Sequence, residues 1–134
     1  MNYWLVKSEP DVYSWDQFEA DGIAVWDGIR SYAARNHMKA MKEGDHVLFY
    51  HSNSGKEIVG IAMVSKEHYH DPAAGDEDWV VVEIKPFKKL NKPVTLIQIK
   101  NDRRLSKIAL ITIQRLSVMP LKPDEYSIIL DLAT

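Results

Sequence analysis

The residues best equipped for chemistry lie in Val25–Lys42, VWDGIRSYAARNHMKAMK. This stretch opens on an aromatic-acid-glycine turn, Trp26-Asp27-Gly28, where the glycine permits close backbone approach. A helix follows, and at about 100° per residue its two sides differ in character. Ala34, Met38 and Met41 fall on one side, flanked by His37 and Ala40, and suit a core. Tyr32, Arg35, Asn36 and Lys39 fall on the other, an assortment that suits recognition better than packing. Trp26 and Trp79 both sit at element edges, where two rings can sandwich a planar ligand or simply pack. Lys7-Ser8-Glu9 ends a strand, a place where polar side chains converge on sites. His51 is either a hydrogen-bonded core histidine or part of a pocket wall.

Several other chemistries lack their residues. The chain has no cysteine, which removes disulfides, thiol nucleophiles, cysteine-ligated metals and the zinc deaminase signature. No phosphate-binding glycine loop, dinucleotide fingerprint or HExxH helix is present. His68 and His70 alternate in an acidic segment without a third clear imidazole, so a solvated loop is favoured over a metal site, and no cofactor is expected. Serines and histidines are available for hydrolysis, but nothing in the spacing groups them. Lys7 with Glu9 is the one pair at a shared strand end that suits general acid–base work.

Elements must position these groups. Asn2–Lys7 alternates as a strand and Pro10 ends it. Ser14-Trp15-Asp16-Gln17 has capping-box spacing for a helix to about Ala20, closed by Gly22. Strands are expected at His46–His51, Glu57–Val64, Trp79–Lys85 and Arg115–Leu121. Gly60 marks a bulge or a close approach by another group. Lys66–Asp78, with Pro72 and Gly75, reads as a mobile loop. Pro93 reads as the entry to a helix over Val94–Lys100, a second helix is expected over Arg103–Ala109, and Pro123 opens a closing helix. Trp4 and Trp15 read as packing residues. Antiparallel strands with short helices between them predict one α+β domain over residues 1–134, built on a small curved sheet or partly closed barrel.

The 134 residues carry a net charge of −2, but the charges are segregated. Glu9–Asp27 and Glu67–Glu83 each hold six acids and no Lys or Arg. Lys85–Lys107 holds eight cations against Asp102 alone. Such a surface guides a polyanion to one place and repels it elsewhere, unless the basic segment is merely solvated. The sequence reaches YWLVK almost at once, without signal-peptide character, and no apolar run is long enough to span a membrane, so a cytoplasmic protein with no membrane partner is expected. Oligomeric state is not legible.

Taken together, WLVKSEP at Trp4–Pro10, WDGIRSYAARNHMKAMKEGD at Trp26–Asp45, LFYHS at Leu48–Ser52, IVGIAMV at Ile58–Val64, KPVTL at Lys92–Leu96 and RLSVMP at Arg115–Pro120 resemble the motifs of the EVE domain. The resemblance runs over essentially the whole chain in the family's order. It implies a PUA-like fold, a curved β-barrel or sheet with peripheral short helices, related to the YTH domain that reads methylated adenine in RNA. It further implies non-catalytic recognition of a modified base, a modified cytosine in DNA or a modified RNA nucleotide. By the YTH analogy Trp26 is a cage wall beside Asp27, with Lys7, Ser8 and Glu9 facing the base edge. Trp79 is then a candidate second wall, His51, Ser52 and Ser117 complete the polar lining, and Arg30, Arg35 and Asn36 serve the backbone or fix the turn. The phosphates are expected on a basic rim such as Lys85–Arg104. PUA-like relatives also include hydrolases and nucleases, the reading under which Lys7 and Glu9 are the acid–base pair. The family commonly has Asn at Ser31 and Gln at Ala33, a departure that shortens both side chains.

Overall fold

Tyr3–Ser8 (β1) is apolar on both faces, so it has to be covered on both sides and hydrogen-bonded along both edges. It runs parallel to His46–His51 (β3) and antiparallel to Val118–Leu121 (β6). Parallel pairing needs a crossover, and Trp15–Asp21 (α1), Ala24–Trp26 (β2) and Tyr32–Ala40 (α2) supply it between β1 and β3. Glu57–His70 (β4) and Val80–Thr95 (β5) then form a long antiparallel hairpin. Leu96–Asn101 (α3), Ala109–Thr112 (α4) and Pro123–Leu132 (α5) complete a computed structural model that describes residues 1–134. The fold is α+β, a six-stranded mixed sheet in the order β2-β5-β4-β3-β1-β6, with short helices around it and no closure into a barrel. No helix is long and apolar enough to cross a membrane.

The sheet is strongly curved. Strand β2 lies three positions from β3, which in a flat sheet would separate them by about 14 Å. Yet the Trp26 ring meets Phe49 edge-on with centroids 5.8 Å apart. Trp4, Val6 and Ser8 share this concave side with Val47, Phe49 and His51, through the register that pairs Val6 with Phe49. Trp15 and Phe18 from α1 pack onto Phe49, and Ala34 and Met38 of α2 are fully buried together with Met41 at its C-cap. Trp4 is buried with its Nε1 donating to Asp45 at 2.9 Å. On the other side of β1, Tyr3 stacks on Tyr126 of α5.

Several expected boundaries move. The segment from Lys66 to His70 is strand, not loop, and only residues 71–79 connect β4 to β5. Polar residues on both faces hide this bulged ribbon from period-two reading. Pro93 lies inside β5, and Val94 is buried in the strand rather than opening a helix. Beyond Ile84 β5 has β4 as its only strand neighbour, and its other edge makes one backbone bond, from the Lys92 N–H to the Ala133 carbonyl, so its prolines sit where a ladder donor is not required. The helix starts one residue after Thr95, which forms the capping box with Gln98. Arg103–Ala109 is a 3-10 turn over Arg103–Leu105 followed by the separate α4. The last strand begins at Val118, leaving Ser117 just outside it. The α1 cap is as expected, with the Ser14 side chain accepting from Gln17 and Gly22 at a φ of 78°.

Gly60 faces the Trp15 ring. A Cβ built there would lie 2.5–2.6 Å from three ring carbons, and Trp15 is wedged edge-on between Phe18 and Phe49 with no room to retreat. Gly60→Ala is therefore expected to cost roughly 2–3 kcal/mol of stability by overpacking, read from urea unfolding. A midpoint equal to wild type would refute the contact.

Candidate functional site

Two ends and one turn meet beside Trp26. The polar end of β1 stops at Ser8, whose hydroxyl donates to the Tyr13 carbonyl and fixes the loop that follows. Strand β2 pairs with β5, Trp26 opposite Val82, and brings the Trp26-Asp27-Gly28 turn alongside. Between them opens a cavity of about 440 Å³ lined by Ser8, Tyr13, Trp26, Asp27, Asp21 and the aliphatic side chains of Val12, Ile23 and Val25. Tyr13 and Trp26 meet edge to face at 6.4 Å. Tyr13 donates to Asp21 at 2.9 Å, and burial together with that carboxylate pushes its phenol up to about 12. Asp21 is also taken up by Gln17, whereas the Asp27 carboxylate has no hydrogen-bond or ion-pair partner. The lining contains two acids and no cation, and Val12, Ile23 and Val25 are exposed at its mouth.

Arg30, Tyr32, Arg35, Asn36 and Trp79 form a different assembly. Tyr32 stacks on Trp79 at 5.4 Å, and the Arg35 guanidinium lies 5.1 Å from the Tyr32 ring and 5.5 Å from Trp79. Arg30 stands 5.7 Å from Trp79. Arg35 also donates to Asn36 Oδ1 and the Asp78 carbonyl, while Lys39 pairs with the Asp78 carboxylate at 2.6 Å. The polar side of α2 thus grips the 71–79 connection. Trp79 is 8% exposed, donates its Nε1 to Glu77, and does not line the cavity beside Trp26.

Beneath this assembly lies Asp71, a buried carboxylate that sequence reasoning passed over as part of a polar loop. It accepts from the Ala73 N–H at 2.9 Å and pairs with Arg30 at 3.0 Å. The Ala73 hydrogen bond, then Arg30 and the nearby Gly28 amide, hold its carboxyl below the usual range against the opposing effect of burial. Asp71 therefore ties the turn carrying Trp26 to the β4–β5 hairpin.

The remaining residues lie apart. His51 is half-buried and shares features of both readings: its Nε2 accepts from the Trp15 N–H at 3.1 Å, and it lines a separate cavity of about 350 Å³ with Asp16 and Glu57. Burial pushes it down, with Glu57 and Asp16 opposing. Lys7 leaves β1 on the side opposite Ser8, donates to the Gln114 carbonyl at 2.7 Å, and lines a second cleft with Ser52. Glu9 is exposed and lines neither opening, so Lys7 and Glu9 do not share a pocket. Ser117 contributes its carbonyl to the Lys7 N–H at 2.9 Å. Ser31 caps α2 through its hydroxyl. The structure thus brings Ser8, Trp26 and Asp27 together, and separately Lys7 with Ser52. Tyr13 was missed because a tyrosine in a Pro–Ser loop carries no pattern; its position depends on the Ser8 contact.

The family profile of the EVE domain matches residues 2–132. The chain belongs to the EVE domain family. Mouse thymocyte nuclear protein 1 is 33% identical over 98% of this chain and 73% of its own length. A crystal structure of an Agrobacterium tumefaciens protein superposes with a TM-score of 0.97 at 42% identity, covering 99% of this chain and 93% of that one. The human THYN1 protein in complex with 5-methylcytosine-containing DNA superposes with a TM-score of 0.92 at 29% identity, covering 99% and 98%. In this EVE domain the WDG turn and the end of β1 border one open cavity, held from below by Asp71.

Asp71→Asn keeps the shape and removes the charge facing Arg30. It is expected to cost about 1–3 kcal/mol at neutral pH. Because the folded carboxyl titrates below its unfolded value, this contribution is complete above about pH 3.9 and is lost as pH falls through the folded value. Urea unfolding of both proteins from neutral to acid pH should show the gap closing only at the acid end. A constant gap would mean that the charge is irrelevant.

Proposed function

We propose that this EVE domain binds nucleic acid without transforming it and receives a modified cytosine of DNA in the cavity beside Trp26. The observation that carries the reading is the near-complete structural match to human THYN1, whose structure holds 5-methylcytosine-containing DNA. The cavity's chemistry agrees with such a ligand. An exposed aromatic face stacks on a base for about 1–3 kcal/mol, and Trp26 is the half-buried ring on this wall. The exocyclic amine of cytosine needs an acceptor, and Asp27 is the lining carboxylate without a partner. A methyl on the ring prefers aliphatic neighbours, which Val12, Ile23 and Val25 supply.

The hydrolase or nuclease reading finds less support, since its acid–base pair, Lys7 and Glu9, does not converge. Glu9 also yields the acceptor role to Asp27.

Trp26→Ala is expected to weaken binding of a 5-methylcytosine oligonucleotide by about 5- to 150-fold, in line with about 1–3 kcal/mol of stacking, while the far-ultraviolet circular dichroism is retained. Fluorescence anisotropy with methylated and unmethylated DNA, and an RNA of the same sequence, reads this directly. Equal affinity of wild type for methylated and unmethylated strands would overturn the reading. Mass spectrometry of the recovered oligonucleotide should find it intact, and a cleaved or demodified product would favour the enzyme.

A further inference from the structure

A second opening lies across β1 from the Trp26 cavity. It is a cleft of about 270 Å³, and its lining includes Lys7, Lys56 and Lys100 with no carboxylate. None of the three lysines has an ion-pair partner, although six ion pairs form elsewhere on the chain. Lys7 is half-buried, with the Gln114 carbonyl the single hydrogen-bond partner of its ammonium. Ser52, Asn53 and Gln114 add neutral polar groups. A lining with three lysines and no acid gives the cleft a positive potential that favours an anion. Burial already pushes Lys7 below the ordinary lysine range, and an adjacent anion would offset this.

The cleft is also a neighbour of the first cavity. Ser52, in the cleft, donates its N–H at 2.9 Å to the carbonyl of Ser8, which lines the Trp26 cavity. Lys7 and Ser8 are consecutive residues of β1. The two openings therefore differ in charge and are joined at one strand end, an arrangement that suits a chain alternating neutral base with anionic phosphate.

We propose that the Lys7–Lys56–Lys100 cleft holds a phosphodiester of the strand whose base occupies the Trp26 cavity, an inference that rests on the function proposed above. The phosphate subsite is thus assigned to this cleft and not to the lysines along β5.

The test compares wild type, the double variant Lys56→Gln/Lys100→Gln and an equal-charge control, Lys85→Gln/Lys88→Gln, whose lysines lie on β5 outside the cleft. Binding of a single-stranded oligonucleotide carrying one 5-methylcytosine, and of its unmodified twin, is followed against salt by anisotropy. Losing the one phosphate contact should flatten the log–log salt slope by about 0.7 and weaken binding about fourfold at physiological salt. The preference for the methylated strand should stay unchanged, and the control should keep the wild-type slope. An unaltered slope in the double variant, or an equal loss in the control, overturns the phosphate subsite. If wild type shows no preference for the methylated strand the base reading fails instead, and the slope with either strand still decides the cleft.

Discussion

The geometry at this end of the molecule depends on the alternation of side chains along β1. Because β1 is hydrogen-bonded to β3 on one edge and β6 on the other, its residues must project above and below the sheet. Lys7 and Ser8 are adjacent in sequence yet leave on opposite faces. Strands β1 and β3 run parallel and finish together, with Ser8 opposite His51, so both deliver polar groups to one end of the sheet. The backbone itself separates the lysines around Lys7 from the acids around Trp26. A slip of one residue in this register would exchange the two faces and put the ammonium of Lys7 against Phe49.

The Trp26 turn needs more than its strand to hold it. Strand β2 is three residues long and an edge of the sheet, bonded to β5 alone. A buried carboxylate is costly unless its oxygens are satisfied, and Asp71 meets that condition only while Arg30, Ala73 and the turn keep their positions. The demand for partners works as a positional constraint. Above it, Arg35 lies against both the Tyr32 and Trp79 rings and clamps α2 to the same connection. Tyr32 remains exposed, but Arg35 and Trp79 are occupied in holding the scaffold, so their chemistry is already spent on neighbours within the chain.

Local pattern made much of this legible. Apolar alternation marks β1 and β3, the Ser14 and Gly22 caps bound α1, the Ala34–Met38–Met41 stripe marks the buried side of α2, and Gly60 announces the approach of Trp15. The extension of β4 to His70 was not legible, since a ribbon wet on both faces has no apolar period to display. Pro93 reads as a helix start in isolation; only the pairing map reveals that this edge of β5 tolerates it. Residue type places Trp26 and Trp79 at element edges equally well. What separates them is the neighbour across the fold, Tyr32 over one and open space beside the other, and neither follows from spacing. The lysine cleft is legible only in part, because Lys100 belongs to the basic run after Lys85 whereas Lys7 and Lys56 come from distant segments that no spacing joins to it.

Under the proposed function, magnitudes decide how the two openings have to cooperate. A base that enters the Trp26 cavity has to leave its stack, at a cost of a few kcal/mol in a duplex and less in a single strand. One aromatic wall returns about 1–3 kcal/mol, and one partnered amine adds little beyond the hydrogen bond it gave up to water. Stacking alone therefore roughly offsets extrusion and leaves little for affinity. The acids around the cavity make matters worse for the flanking phosphates, which must turn away from Asp21 and Asp27 toward a region of opposite charge. On an acidic chain of net charge −2, the free energy that holds the strand has to come from a few concentrated cations, leaving the cavity to discriminate between bases. On that proposal, affinity and selectivity are carried by different faces of the same strand, one residue apart.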